Sequence, residues 1–296
     1  MQTAHDHLPP PCPCGQVADR RRFLGLVAAG ACAALAGCSV TGDWTATTRR
    51  TPATTTTGPT TTTTPPPPPT TLAPVVQLDA VPPPRPGPPE VVFGGPARST
   101  GTAVTIDDGF CTDCVTFYVG LAQRTGLHLT FSPNGTYRAM WEPHAPVLRD
   151  LIAAGQVQLG NHTYSHPDLV KLSDSTIRKE IEQNDQWLEQ TFGITARSWF
   201  RPPYGSHNPH TDGVVGELGY TRILLWNGSF GDSAPISPQQ LLALAGQYMT
   251  PGRIVLGHAN YPTIEPLWGQ IEALISTRGL TLVTLDEMFG TSRNTG

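Results

Sequence analysis

From about residue 91 the chain alternates short runs rich in β-branched and aromatic residues with longer segments whose apolar positions recur at helical spacing. That alternation is the mark of βα units, in which each strand is followed by a helix that carries the chain back to start a parallel neighbour. It predicts seven strands, near residues 102–106, 127–131, 157–160, 198–201, 221–226, 253–256 and 280–283. Helices are predicted over 115–124, 146–154, 175–192, 238–247 and 266–277. Gly126, Gly155 and Gly193 follow the first three, where a residue free to enter the left-handed region ends a helix at little steric cost. The sequence shows no internal repeat beyond this alternation.

The first 90 residues carry no such pattern. Arg20, Arg21 and Arg22 precede an uncharged run over 23–37 rich in Ala, Leu and Gly, the build of an export signal. At ~1.5 Å per residue that run reaches only ~22 Å, short of a ~30 Å hydrocarbon core, which argues against a permanent transmembrane helix. The paired arginines followed by Phe23-Leu24 resemble a twin-arginine signal, and Leu35-Ala36-Gly37-Cys38 resembles a bacterial lipobox. The resemblance implies a signal peptide over 1–37, cleavage before Cys38, and lipidation of its thiol, which anchors the mature chain to the outer face of the cell membrane. Cys12, Cys14 and Cys32 then leave with the signal. Residues 38–90 follow as threonine tracts and proline runs, and 14 of the chain's 31 prolines lie between residues 51 and 90. Such a composition cannot bury enough apolar surface to offset its ordering entropy. It is expected to form a disordered stalk that holds a domain over 91–296 up to ~150 Å from its anchor.

Charge and size narrow the function. A net charge of -4 leaves no basic excess to neutralise phosphates, so nucleic acid is not an expected partner. The residues beyond the stalk suffice for one well-buried core, and a monomer is expected.

The candidate chemistry starts with Asn161-His162-Thr163-Tyr164-Ser165-His166, where two imidazoles stand four residues apart among small polar residues. Two histidines under-hold a divalent cation, so a third ligand is required, and Asp108 in Thr105-Ile106-Asp107-Asp108-Gly109 is the obvious donor. Adjacent carboxylates in a turn cannot face one ion equally well, so one can bind it while the other takes a proton from water. On the predicted map Asp107 and Asp108 follow the first strand, and His162 and His166 the third. Arg201 ends the fourth strand, Asp232 follows the fifth, and His258 follows the sixth. Every one lies at a strand's C-terminal end, where parallel β/α barrels build their sites.

Several of these stretches, taken in order, carry a family resemblance. Thr105-Ile106-Asp107-Asp108-Gly109, His162-Thr163-Tyr164-Ser165-His166, Arg201-Pro202-Pro203-Tyr204 and Leu256-Gly257-His258 resemble the first, second, third and fifth motifs of the polysaccharide deacetylases, carbohydrate esterase family 4. The resemblance covers residues 102–285. It implies an α/β fold, a distorted (β/α) barrel of about seven parallel strands, and removal of acetyl groups from N- or O-acetylated sugars. It implies one divalent metal, zinc first with cobalt or manganese as alternatives, held by Asp108, His162 and His166. Asp107 is then the general base and His258 the acid, with Arg201 keeping Asp107 ionised and Asp232 orienting His258. Pro203, Tyr204 and Leu256 become substrate contacts, with a backbone N–H such as that of Tyr204 facing the developing oxyanion.

The fourth motif departs from the family. Where many members read Asp-x-x-Asp-Trp, this chain reads Ser229-Phe230-Gly231-Asp232-Ser233, which keeps the partner of His258 and loses the tryptophan of the groove wall. Trp226 and Phe230 are candidates to replace it, although aromatics at the end of a buried strand more often join the core. Cys111 and Cys114 directly follow the first motif. In an exported protein a local disulfide is the default for such a pair, with a redox centre or second metal site as alternatives. His207 and His210 are left outside the site as loop histidines.

Two readings of other classes remain. A non-haem iron oxygenase would use the same ligand types, but it gives Asp107 and His258 no task. A catalytically idle wall-binding protein would keep the fold and not the activity. The expected substrate is polysaccharide of the cell envelope, peptidoglycan first, with chitin-like oligomers and acetylated xylan as alternatives.

Overall fold

The computed structural model describes residues 88–291, so the expected signal peptide, Cys38 and nearly all of the stalk lie outside the described residues. The strands in chain order are β1 (Glu90–Val92), β2 (Gly101–Asp108), β3 (Leu129–Pro133), β4 (Val157–Leu159), β5 (Trp199–Phe200), β6 (Arg222–Leu224), β7 (Gly228–Ser229), β8 (Ile254–His258) and β9 (Thr281–Leu282). The helices are α1 (Thr112–Thr125), α2 (Arg138–Trp141), α3 (Ala145–Ala153), α4 (Asp174–Phe192), α5 (Pro209–Glu217), α6 (Pro238–Tyr248), α7 (Trp268–Thr277) and α8 (Leu285–Met288). Among the described residues no helix is long and apolar enough to cross a membrane.

Every strand pairing is parallel. One sheet runs β4-β3-β2-β8-β7, with β9 on the first residues of β2, and a second runs β1-β6-β5. The two meet where Asn161, just past β4, bridges to Phe200 of β5. On the other side the Gly95 N–H donates to the Gly252 carbonyl. The result is a distorted (β/α) barrel whose ring of hydrogen bonds is interrupted. All seven expected strands are present within a few residues, and β1 and β7 are additional. Both are short, and β7 contains a glycine, so neither offers an alternating run long enough to read.

The core follows from the pattern. Val104, Ile106, Phe131 and Leu159 on the strands pack against Tyr118, Leu121, Leu148 and Ile271 of the surrounding helices. Ile177, Ile181, Val214 and Val215 of α4 and α5 cover Phe200 and Ile223. Ala103, Trp199 and Ile254, each early in its strand, pack with Leu224 against Leu285 and Met288 of α8, so that this short helix covers that end of the barrel. The opposite, C-terminal end is left for chemistry. Helix α5 was not expected: Asn208 caps it reciprocally with Thr211 and Pro209 opens it, but Gly213 and Gly216 dilute its apolar repeat.

Candidate active site

Strand β2 delivers Asp107 and Asp108, and its register sets Asp107 beside Ser132 of β3 and His258 of β8. The loop after β4 delivers His162 and His166, and the residue after β5 is Arg201. The structure therefore brings together at one end of the barrel residues up to 151 positions apart.

The metal candidates converge. Asp108 Oδ1 lies 3.5 Å from His162 Nε2 and 3.5 Å from His166 Nε2. This is the one group of such ligands among the described residues whose donor atoms all fall within 4.8 Å of one another. Asp107 Oδ2 is 3.6 Å from His162 Nε2, but its other oxygen is bonded to Arg201. Asp108 is thus the carboxylate shared by both imidazoles. Its Oδ1 is buried and has no hydrogen-bond partner, an arrangement that costs ~1–3 kcal/mol or more for a charged group unless a cation answers it. Its Oδ2 accepts from Asn260 Nδ2 at 2.7 Å, and its carbonyl accepts from Trp141 Nε1 at 2.9 Å. The His162 Nδ1–H donates to the Arg201 carbonyl at 2.7 Å, which leaves the Nε2 lone pair facing the site. The residues present fit a divalent cation.

The backbone here is strained and held. Asp108, Thr163, His166 and Tyr204 have φ of +68°, +67°, +61° and +62°, in the left-handed region that side chains rarely adopt. Three fully buried asparagines over-determine the histidine loop. Asn134 Nδ2 donates to the His162 and Thr163 carbonyls, and Asn161 Oδ1 accepts from the Thr163 N–H and from Asn184 Nδ2. Asn184 Oδ1 accepts in turn from the Gly135 N–H. Sequence reasoning missed Asn134, Asn184 and Asn260. Asn184 was findable, because it interrupts the apolar stripe Ile177, Ile181, Leu188, Phe192 of α4.

Electrostatics differentiate the imidazoles. Burial disfavours charge on His162, but Asp107 and Asp108 override it and hold its pKa above the ordinary value. His166 is pushed down to about 4 by burial and by its neighbour His162. Burial alone would raise Asp108, but the close approach and charge of His162, helped by His166 and His258, hold it well below the usual carboxylate range. His258 resists burial because Asp232 bonds its Nδ1 at 2.9 Å and its N–H at 3.1 Å, so its pKa is raised. Arg201 is fully buried and donates to Asp107 Oδ1 at 2.7 Å and to Thr105 Oγ1 at 2.8 Å.

The expected substrate contacts divide. Tyr204 is 69% exposed with its ring 4.6 Å from that of His166, whereas Pro203 and Leu256 are buried. Phe230 is fully buried in the core and Trp226 is half-buried with Arg201 6.0 Å from its ring, so Phe230 does not replace the missing wall. The structure bonds Cys111 to Cys114 across the first turn of α1. His207 pairs with Asp212 and His210 with Asp174, both apart from the triad.

The family description "Polysaccharide deacetylase" matches residues 95–223. A peptidoglycan-N-acetylglucosamine deacetylase of Bacillus cereus is 27% identical over 68% of this chain and 72% of its own length. A solved peptidoglycan N-acetylglucosamine deacetylase, in complex with 4-naphthalen-1-yl-N-oxidanyl-benzamide, is 25% identical with a TM-score of 0.57, covering 68% of this chain and 94% of that one. Residues 95–223 thus carry the polysaccharide deacetylase signature. The family match ends before Asp232 and His258. Against the uncharacterized protein YlxY of Bacillus subtilis, 26% identical over 69% of this chain, the chain spans about 62% of the relative's length. A Bacillus anthracis pseudoenzyme of the CE4 family is similar in fold, with a TM-score of 0.59 at 20% identity over 68% of this chain and 69% of that one.

Proposed function

We propose that the chain is a metal-dependent hydrolase that removes acetyl groups from N-acetylated polysaccharide of the cell envelope, with peptidoglycan as its first substrate. The observation that carries this reading is the buried, unpartnered Asp108 Oδ1 between His162 and His166, beside an Asp107 tied instead to Arg201. Asp108, His162 and His166 would hold the cation, zinc before cobalt or manganese by their nitrogen and oxygen donors. Bound there, such an ion would lower the pKa of water towards ~7 and polarise the acetyl carbonyl.

The chain's own residues supply the proton chemistry. Arg201 occupies Asp107 Oδ1, which turns Oδ2 towards the triad as the oxygen that accepts the attacking water's proton. His258, kept protonated by Asp232, gives a proton to the departing amine nitrogen as the carbon–nitrogen bond breaks. The Tyr204 backbone, in its left-handed turn beside His166, offers an N–H to the developing oxyanion. Acetate and a free amine result. The choice of peptidoglycan rests on the similar Bacillus cereus enzyme and on the expected tethered stalk.

Acetate release should be measured on peptidoglycan, chitin oligomers and acetylated xylan with chelated protein and with protein reloaded with zinc, cobalt or manganese. Release from peptidoglycan is expected, lost on chelation and restored by zinc. Full activity after verified metal removal sinks the metal-dependent reading. No release from any glycan by loaded protein leaves the wall-binding alternative in its place.

A further inference from the structure

The tryptophan wall of the fourth motif is missing, but another aromatic surface stands beside the triad. Phe110 is the second residue after Asp108 and is 40% exposed. Its ring meets Tyr137 at 5.9 Å and 61°, and Tyr261 at 5.5 Å and 88°, both edge to face. The three rings come from adjacent loops. Phe110 follows β2, Tyr137 follows β3 and Tyr261 follows β8, and β3 and β8 are the two strands that flank Asp107 in the sheet. Tyr137 packs partly against the core, whereas Phe110 and Tyr261 belong to no core cluster. Asn260, next to Tyr261, bonds the Oδ2 of Asp108, and burial and the charge of Asp108 raise the Tyr137 phenol. Tyr204 also stands exposed, its ring against that of His166.

A β-linked amino-sugar unit presents a flat face of axial C–H groups with hydroxyls around its edge. An exposed phenyl ring flanked by two phenols matches that distribution, an apolar centre with polar tips. Resting on the deacetylase reading above, we propose that Phe110, buttressed by Tyr137 and Tyr261, is the platform on which the sugar unit next to the reacting one stacks. The platform makes the site selective for linked N-acetylated pyranose units over a single one.

The test uses the full chain, stripped of metal, titrated calorimetrically with an N-acetylglucosamine tetramer and with the monomer, as wild type, Phe110→Ala and Phe110→Trp. The zinc-loaded proteins then give KM and kcat on the tetramer. Wild type and Phe110→Trp should bind tetramer more tightly than monomer. In Phe110→Ala the tetramer affinity should fall about tenfold, with KM rising in step and kcat within about twofold, the scale expected for losing the cover of half a phenyl ring. Equal tetramer affinity in wild type and Phe110→Ala overturns the platform, as does a wild type that binds no tetramer, or a loss confined to kcat. The binding arm needs no turnover. If the wild type deacetylates no glycan, the deacetylase reading fails, while the calorimetry still decides for or against the platform.

Discussion

Asp107→Asn should separate the proposed proton-accepting carboxylate from its proposed metal-binding neighbour, and the structure sets the size of each effect. Asp107 Oδ1 takes a 2.7 Å hydrogen bond from Arg201, whose side chain is fully buried. Breaking a buried pair from one side destabilises by ~3–5 kcal/mol. Here the amide keeps an acceptor oxygen, and Arg201 retains Thr105 Oγ1 and the Leu224 and Leu225 carbonyls, so the loss should be nearer the ~1.5–3 kcal/mol of one charged hydrogen bond. In a domain of this size that lowers Tm by ~5–10 °C. Turnover should fall ~10²- to 10⁴-fold, because an amide cannot take the water's proton. Metal content should hold, since Asp107 approaches His162 alone while Asp108 approaches both histidines. The assay is zinc stoichiometry, acetate release and a thermal melt on Asp107→Asn and Asp108→Asn side by side. Metal loss on Asp107→Asn with normal zinc on Asp108→Asn would reverse the roles, and equal zinc with equal turnover in both would refute the reasoning outright.

Other consequences are as concrete. Asp232 raises the pKa of His258, and an acid acts only while protonated, so the alkaline limb of kcat/KM should lie above the ordinary histidine range; Asp232→Asn should move it to lower pH, and a limb that stays put would remove His258 as the acid. Asn260→Ala frees Asp108 Oδ2 and the Gly109 N–H and should weaken zinc affinity ~10- to 100-fold in a chelator competition, with the melt lowered by the ~1–3 kcal/mol of lost buried hydrogen bonding. Replacing Cys111 and Cys114 by serine opens a loop so short that only ~2 kcal/mol should be lost, with zinc retained. Zinc loss in that variant would give the pair a part in the metal site.

The barrel was legible because its strands are short apolar runs set off by glycine-ended helices, a signal that survives errors of a residue or two at each boundary. The candidate site was legible for a related reason. Asp107, Asp108, His162, His166, Arg201, Asp232 and His258 each fall where a predicted strand ends, and parallel topology converts that position into proximity. What the sequence hid acts at a distance or against local expectation. Asn260 holds Asp108 from 152 residues away. Asn134 reaches the histidine loop from the end of β3, and neither amide stands in a local pattern that marks it as buried. The left-handed φ of Asp108, Thr163 and His166 goes against residue preference, and only the surrounding hydrogen bonds enforce it. Helix α5 failed for the opposite reason, as a capped start followed by two glycines.

Gly109 divides this molecule into a part that tolerates no variation and a part that invites it. A Cβ there would sit 2.1 Å from the Trp141 indole nitrogen, on a backbone already at φ +113°, so every other side chain is barred by hard-sphere overlap. One position later the chain emerges at the rim with Phe110, 40% exposed, whose ring meets those of Tyr137 and Tyr261. A combinatorial library should therefore leave Asp107 through Gly109 untouched and randomise Phe110 and Tyr261, which lie in no core cluster, while keeping Tyr137, which packs against the core.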